Sequence, residues 1–402
     1  MLRALICIAI LTFGSGLLLA QQPADYAAER GRAIALINEK KYAEALPLFE
    51  KLAASPKADG QVFLGLGMSY WHLQDPKDLL KSKPVRAKAR AAFITAKELG
   101  ISNPDIDMLV TSIKPDGGEA GVSDNPAAQL SMEAANSFFA SGDRKNAAVA
   151  YAKAAALDPT LYEAALYTGN SYYGMKDYDN AGIWFAKAIT IDPDRETAYR
   201  YWADGLAKDG KEKEAIEKYL EAIIAEPYSG LSWRGLTQFA KAKNISLSHP
   251  TITVPVGFES GGDGKTTISL GSLLGAKDGD GSAAWLVYGM ARAGWQTDKE
   301  GKLSKTFAEA YPRETRYRHS LAEEASAFRM VLSVAKEVKD KKKPEKSIAA
   351  LQKLEAAGLL ESYILFARST PGIARDYPAY RSANRVHLKR YLTDIVMKNG
   401  GK

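Results

Sequence analysis

Few residues in this 402-residue chain stand at spacings that could support catalysis or metal binding. His319 and Glu323 are one helical turn apart, a spacing at which an imidazole and a carboxylate can share a metal ion or a proton. The remaining histidines, His72, His249 and His387, are distant from it and from one another in the sequence. A lone pair of this kind is typical of a surface hydrogen bond. The sequence therefore predicts no metal site and no catalytic residue.

Two glycine-rich segments resemble ligand-binding loops but lack required residues. Residues 261–266 end in Gly-Lys-Thr, as a phosphate-binding loop does, but Glu259 stands where the first glycine is required and a strand pattern follows. Residues 278–282 start like a calcium loop, but Ala283 and Gly289 occupy the positions of its glycine and closing glutamate. Both segments are predicted to be turns. No serine-nucleophile motif is present either, so we expect no enzyme and no cofactor.

The elements of the middle of the chain repeat with a period of 34 residues between about Ser131 and Pro227. Small and large apolar residues recur at fixed distances from a proline. These residue types suit paired helices, because small side chains allow close crossing, aromatic rings fill the space beside it, and proline ends the second helix. The repeated positions are Ala135, Gly169 and Ala203; Phe138, Tyr172 and Leu206; Ala147, Ala181 and Ala215; Tyr151, Phe185 and Tyr219; Ala154, Ala188 and Ala222; and Pro159, Pro193 and Pro227.

This pattern resembles the tetratricopeptide repeat, with the resemblance covering about residues 26–243. The resemblance implies a mainly α fold, a solenoid of helix–turn–helix units whose first helices line a concave groove. In that family the groove binds extended peptides or partner helices. The positions of this chain that match the groove are Asn136, Phe139, Asn170, Tyr173, Arg200, Asp204, Arg234 and Gln238.

The groove candidates have a chemistry that suits a peptide. Side-chain amides can donate to and accept from a bound backbone, and Arg200 and Arg234 add a preference for anions at one end. Met132 and Leu166 stand where the chaperone-tail binders of the family have basic residues, which argues against that carboxylate clamp. The alternative is that the groove is filled by the C-terminal domain or the insertion of the protein itself.

Composition and pattern divide the whole chain into segments. The N-terminal segment is apolar, two looser repeats and a linker precede the regular repeats, and no family resemblance covers the last part. The segments are a signal peptide (1–20), two degenerate repeats (21–100) with an insertion at 74–84, a linker (101–126), three regular repeats plus a capping helix (127–247), and a basic C-terminal helical domain (248–402) with a β-hairpin at 251–270, whose predicted strands are Thr251–Val256 and Lys265–Leu270.

The N-terminal segment predicts export. Arg3 is followed by an almost wholly apolar run from Ala4 to Ala20, after which the sequence becomes polar. Leu18 is larger than the residue preferred near a cleavage site, so the alternative is a membrane anchor that is not cleaved. No other stretch is apolar enough to span a bilayer. The one cysteine, Cys7, lies inside this run, which fits an exported chain without disulfides.

Charge is placed unevenly along the chain. Residues 248–402 carry 25 Lys and Arg against 17 Asp and Glu, whereas the residues before them are nearly neutral. Arg381, Arg385, Lys389 and Arg390 lie opposite the apolar face of the last predicted helix and are candidates for contact with an anionic surface.

Three functions follow from these patterns. The first is an exported, non-catalytic adaptor with a protein or peptide in its groove. The second is an envelope module whose basic C-terminal domain binds anionic lipid or polysaccharide, and export argues against nucleic acid. The third is an enzyme in 248–402, which would need a pocket with clustered acids or histidines.

Overall fold

A computed structural model describes residues 23–55, 58–75, 78–99, 101, 104–260, 266–269, 280–296, 302–312, 314, 317–337 and 344–397. The predicted signal peptide, most of the segment that resembles a phosphate loop and the start of the calcium-like segment lie outside these residues. In the described part of the chain, no helix is both long and apolar enough to cross a membrane.

Helices dominate the described residues, and consecutive helices pack as antiparallel pairs, which confirms the predicted mainly α solenoid. The first block consists of α1 (Pro23–Asn38), α2 (Tyr42–Ala53), α3 (Gly60–His72), α4 (Leu79–Glu98) and α5 (Pro104–Ser112). The regular block consists of α6 (Pro126–Ala140), α7 (Arg144–Leu157), α8 (Tyr162–Gly174), α9 (Tyr178–Ile191), α10 (Glu196–Lys208), α11 (Glu212–Ala225) and α12 (Gly230–Ala242).

The C-terminal region combines a two-stranded antiparallel sheet with further helices. Its elements are β1 (Gly257–Ser260), β2 (Thr266–Ser269), a 3-10 turn (Ser282–Trp285), α13 (Leu286–Ala293), α14 (Lys305–Ala310), α15 (Leu321–Lys336), α16 (Lys346–Ala356), α17 (Leu360–Ala367), α18 (Pro371–Ala374), α19 (Tyr377–Tyr391) and a π-helical turn (Leu392–Val396).

The 34-residue period also appears in the backbone, at the turn between the two helices of a unit. Residues with left-handed φ angles stand at 142, 176, 210 and 244, each 34 residues after the last. Lys40, three periods before Gly142, has the same conformation, with φ 60°. Glycine adopts this conformation without steric cost, whereas Lys176 and Asn244 place a Cβ there. The turn therefore has the same geometry in each of these units, whichever residue occupies it.

Small residues stand where consecutive helices cross, both within a unit and between neighbouring units. A Cβ added to Gly169 in α8 would lie 2.6 Å from the Phe185 ring in α9. A Cβ added to Gly235 in α12 would lie 2.8 Å from the Tyr219 ring in α11. A real Cβ atom essentially never comes this close to a ring, so these crossings require glycine with the present rings in place. Ala135 and Ala203, at the same repeat position as Gly169, are fully buried.

The insertion and the hairpin differ from the sequence-based predictions. The insertion at 74–84 is expected to be a loop, but its second half is helical: α4 starts at Leu79 and continues through Pro84. The first predicted strand, Thr251–Val256, is not part of the sheet, and β1 instead starts at Gly257 and pairs with β2, Gly257 opposite Ser269. The alternate residues of this segment pack into the helical core, where Ile252 and Val256 are each 6% exposed. The Thr253 amide donates to the Ser347 hydroxyl.

The boundary predicted between 247 and 248 does not separate two cores. One apolar cluster contains Leu220 and Ile223 of α11, Tyr363 of α17, and Leu388 of α19 together with the π-helical turn. The Tyr377 hydroxyl donates to the Ile224 carbonyl at 2.7 Å. The C-terminal region is therefore packed directly on the last repeat, as a continuation of the array.

Candidate partner-binding groove

The groove candidates lie on the first helix of each unit in the regular block, α6, α8, α10 and α12. Of these helices, α10 contacts both α8 and α12. The candidate side chains reach solvent to different extents. Asn136, Arg234 and Gln238 are exposed, whereas Phe139, Asn170, Tyr173, Arg200 and Asp204 are half-buried.

Asn136, Asn170 and Asp204 occupy the same position of the first helix in successive units. In two of these units, a tyrosine of the same unit donates a hydrogen bond to this residue. The Tyr151 hydroxyl donates to the Asn136 side-chain oxygen at 2.6 Å, and the Tyr219 hydroxyl donates to the Asp204 carboxylate at 2.5 Å. The middle unit has Phe185 at the matching position and so has no hydroxyl to offer. Among the described residues, Asn170 has no hydrogen-bond partner, so both functions of its amide are available to a ligand.

Arg200 is less available than the sequence indicates. Its guanidinium forms two hydrogen bonds with the Glu196 carboxylate one turn earlier, at 2.7 and 3.1 Å. The Glu196 side chain is 2% exposed, so Arg200 neutralises a buried charge. This pairing corrects the expectation that Arg200 serves a bound anion. Arg234, the other predicted anion contact, is exposed and has no ion-pair partner among the described residues.

Two cations in the groove were not among the sequence-based candidates. The Lys208 ammonium lies 4.7 Å from the centre of the Tyr173 ring, and this contact with Tyr173 raises the pKa of Lys208. The Arg144 guanidinium lies 3.7 Å from the centre of the Phe139 ring. Lys208 stands one helical turn after the groove candidate Asp204, and this spacing could have identified Lys208 as a further candidate from the sequence. Burial raises the pKa of Asp204, although its bond with Tyr219 acts in the opposite direction.

The C-terminal region packs against the last two helices of the regular block. Helix α19 contacts α11, and Trp233 of α12 packs against Phe366 of α17. Asn170, Arg234 and Gln238 have no hydrogen bond or ion pair with any described residue of the C-terminal region. In the described residues, the polar groups of the candidate groove are therefore not occupied by that region.

The cationic face of the last helix has partners within the chain. Arg381 pairs with Asp194 at 2.5 Å and donates to the Ala225 carbonyl. Arg385 pairs with Glu221, and Lys389 pairs with Glu217 and Glu221. Arg390, 4.0 Å from Asp394, is about half exposed. The expectation of a free anion-binding face is therefore corrected: Arg381, Arg385 and Lys389 attach α19 to the repeats.

The histidine–carboxylate pair belongs to a buried ionic cluster. His319 Nε2 lies 3.1 Å from Glu324, not from the Glu323 that the sequence suggested. Glu324 also binds Arg368 and the Tyr288 hydroxyl. Glu323, fully buried, binds Arg292 and the Tyr317 hydroxyl. The cluster connects α13 and α15 with Arg368, the residue that follows α17, which gives it a structural role.

Metal binding has no support in the part of the chain that the structure describes. No group of three or more histidine, cysteine, aspartate or glutamate side chains there could hold an ion.

The first block has a second concave surface of a different character. A cavity of about 420 Å³ lies between α1, α3 and α5. Its walls are mainly apolar, whereas the regular block presents amides and charges at the matching positions. Residues lining it include Ile34, Leu64, Met68, Trp71 and Leu109.

Comparisons with known proteins give weak likenesses. No family model and no curated protein matches the sequence. Among solved structures, the Arabidopsis OM64 TPR domain is 18% identical, covers 30% of this chain and 99% of its own, and has a TM-score of 0.28. The TPR2AB domain of yeast Sti1, in complex with pHSP90, is 16% identical, covers 55% of this chain and 86% of its own, and has a TM-score of 0.28.

A third solved structure gives a similar result. The crystal structure of MamA protein is 16% identical, covers 51% of this chain and 94% of its own, and has a TM-score of 0.25. At these scores the tetratricopeptide-like architecture rests on the helix pairs and the period of this chain.

Proposed function

We propose that this protein is an exported, non-catalytic scaffold that holds an extended segment of a partner protein along α6, α8, α10 and α12. The observation that carries the proposal is the open amide of Asn170 at the centre of this surface. A side-chain amide can donate to one peptide group and accept from another, which suits an extended backbone. The Tyr173 ring, one turn further along α8, offers an apolar contact beside it.

Charge supports acidic residues in the part of the partner that lies nearest α12. Lys208, Arg234 and Lys241 are exposed at this end, and none of them forms an ion pair with a described residue. The acid that interacts with Lys208, Asp204, is half-buried and accepts a hydrogen bond from Tyr219. The local excess of positive charge favours a segment with Asp or Glu at this end.

Export remains part of the proposal. The apolar run from Ala4 to Ala20 and the lack of cysteine after Cys7 support it. Detection of the full-length chain in cell fractions, together with N-terminal sequencing of the mature form, would test it. A mature N-terminus at Met1 in the cytosolic fraction would contradict export.

Selection from a random peptide display library tests the groove. We expect the chain to enrich acidic peptides, and the double variant Asn170→Ala with Tyr173→Ala to lose at least about tenfold in affinity for them. Thr190→Ala, on the outer side of the same unit, is the control and should bind as the parent does. Enriched peptides that bind the double variant equally well would refute this site.

A further inference from the structure

The C-terminal region contains a cleft that is separate from the groove. It lies between α15 and α19 and has a volume of about 620 Å³. Small side chains line its base, namely Ala322, Ala325 and Ala379. The Tyr380 ring at one end and Trp295 and Tyr311 towards the other form its aromatic walls.

One end of the cleft offers a donor and an acceptor side by side. Arg329 binds Glu355 through Nε at 2.8 Å and Glu361 through Nη2 at 2.5 Å. Its remaining nitrogen, Nη1, and the second oxygen of Glu361 have no partner among the described residues. The Ser326 hydroxyl, one turn before Arg329 on α15, is likewise free there. A ligand with adjacent hydroxyl groups can donate to Glu361 and accept from Arg329.

At the other end of the cleft, the polar groups already form hydrogen bonds within the protein. Asp376 accepts hydrogen bonds from Arg318 at 2.6 Å, from the Leu321 amide at 2.8 Å and from the Tyr311 hydroxyl at 3.1 Å. These bonds fix the position of Tyr311, so this end presents a rigid ring instead of a free charge. Asp376 therefore acts on the cleft by holding Tyr311 in place, and its carboxylate is not available to a ligand.

Charge around the cleft is nearly balanced. Arg329 stands between two glutamates, and Asp376 with Glu314 faces Arg318 and Arg375. An ionic ligand would gain little net attraction and would disturb these pairs. Aromatic walls with paired polar groups instead suit a ligand that has apolar ring faces and many hydroxyls.

We propose that this cleft binds an uncharged saccharide, with adjacent hydroxyls on Glu361 and Arg329 and a sugar ring against Tyr380. The site is independent of the peptide groove, so either can fail without the other.

Calorimetric titration of the full chain with neutral tetrasaccharides tests the proposal. The probes are linear β-1,4-glucose, α-1,4-glucose and N-acetylglucosamine tetramers. We expect at least one to bind with a Kd below about 1 mM, and Tyr380→Ala to weaken it at least about tenfold. Glu361→Gln keeps the size of the side chain but replaces a carboxylate oxygen, so it should weaken binding by a smaller factor.

Controls separate the site from the fold. Val386→Ala, at an exposed side chain of α19, should bind as the parent does. Tyr380→Phe, which keeps the ring, should retain most of the affinity and unfold at the parental temperature. The proposal is overturned if none of the neutral probes binds at about 10 mM, or if Tyr380→Ala binds equally well.

Discussion

The Tyr377 hydroxyl donates a hydrogen bond of 2.7 Å to the carbonyl of Ile224, across the junction between the C-terminal region and the last repeat. Both residues are almost fully buried. The Ile224 carbonyl lies in the last turn of α11, where carbonyls lack partners within the helix. A residue 153 positions further along the chain therefore completes this helix end.

Loss of this hydroxyl should weaken the whole regular block. We expect Tyr377→Phe to lower the free energy of unfolding by about 1–2 kcal/mol, because the buried carbonyl is left without a donor. Urea unfolding followed by circular dichroism measures it. Tyr228→Phe is the matched control: its hydroxyl reaches the Leu365 carbonyl at 3.3 Å from a half-exposed ring, so its loss should be smaller. Equal losses would contradict the special role of Tyr377.

A hydroxyl added at position 185 should occupy the side-chain amide of Asn170, which has no hydrogen-bond partner among the described residues. In Phe185→Tyr the new group stands where Tyr151 and Tyr219 stand in the neighbouring units, and it should donate to Asn170. We expect stability to change by less than about 1 kcal/mol and affinity for the selected acidic peptides to fall about threefold to tenfold. Fluorescence anisotropy measures the affinity. Unchanged affinity would indicate that Asn170 does not contact the peptide.

The left-handed turn positions should tolerate only some residues. We expect Gly210→Ala to lower the free energy of unfolding by about 1 kcal/mol, because φ is +77° there. Gly31→Ala is the control, since Gly31 lies inside α1 and should gain up to about 1 kcal/mol. Neither added methyl group has an atom within 4 Å, so thermal unfolding of the two variants compares backbone effects alone. Destabilisation of both by the same amount would contradict this account.

Acid should destabilise the C-terminal region through Glu324. Burial by itself raises the pKa of this carboxyl, but the hydrogen bond with His319 and the charge of Arg368 hold the pKa at about 2, below its ordinary 4.5. A lowered pKa gives stability that is complete above pH 4.5 and is lost as the pH falls towards 2. This difference in the pKa of Glu324 corresponds to about 3 kcal/mol in the free energy of unfolding.

Replacement of the carboxylate tests this pH dependence. Unfolding of Glu324→Gln should vary less with pH than that of the parent in the same interval, and Glu309→Gln, at an exposed side chain, should follow the parent. Urea titrations at successive pH values measure both slopes. A parent and a Glu324→Gln variant with the same slope would contradict the assignment.

The sequence predicted the helix pairs well because the repeat is a local pattern. Small residues, rings and prolines recur within each unit, and the helices form at the predicted places. The bond between Tyr151 and Asn136 is also local, at a separation of 15 residues, and could have been read from the repeat. The left-handed turn at Lys176 gives no such signal, because lysine has no preference for that conformation.

The rest could not be predicted because its partners are distant in the chain. Glu221 and Arg385 are 164 residues apart, so the charged face of α19 looked free in sequence and is paired in the structure. The alternation of Thr251–Val256 suggested a strand, but it places Ile252 and Val256 in a core formed with α15 to α19. Likewise, the cleft between α15 and α19 depends on helix placement, which no local pattern specifies.

The shared core at the last repeat also limits how copies of this protein can associate. A stack of helix pairs presents apolar surface at its ends, and another copy could continue the stack there. Here the C-terminal region covers that end of α11 and connects to it through buried side chains, hydrogen bonds and ion pairs. The surface of α11 on which a second copy could stack head to tail is therefore already covered within the chain.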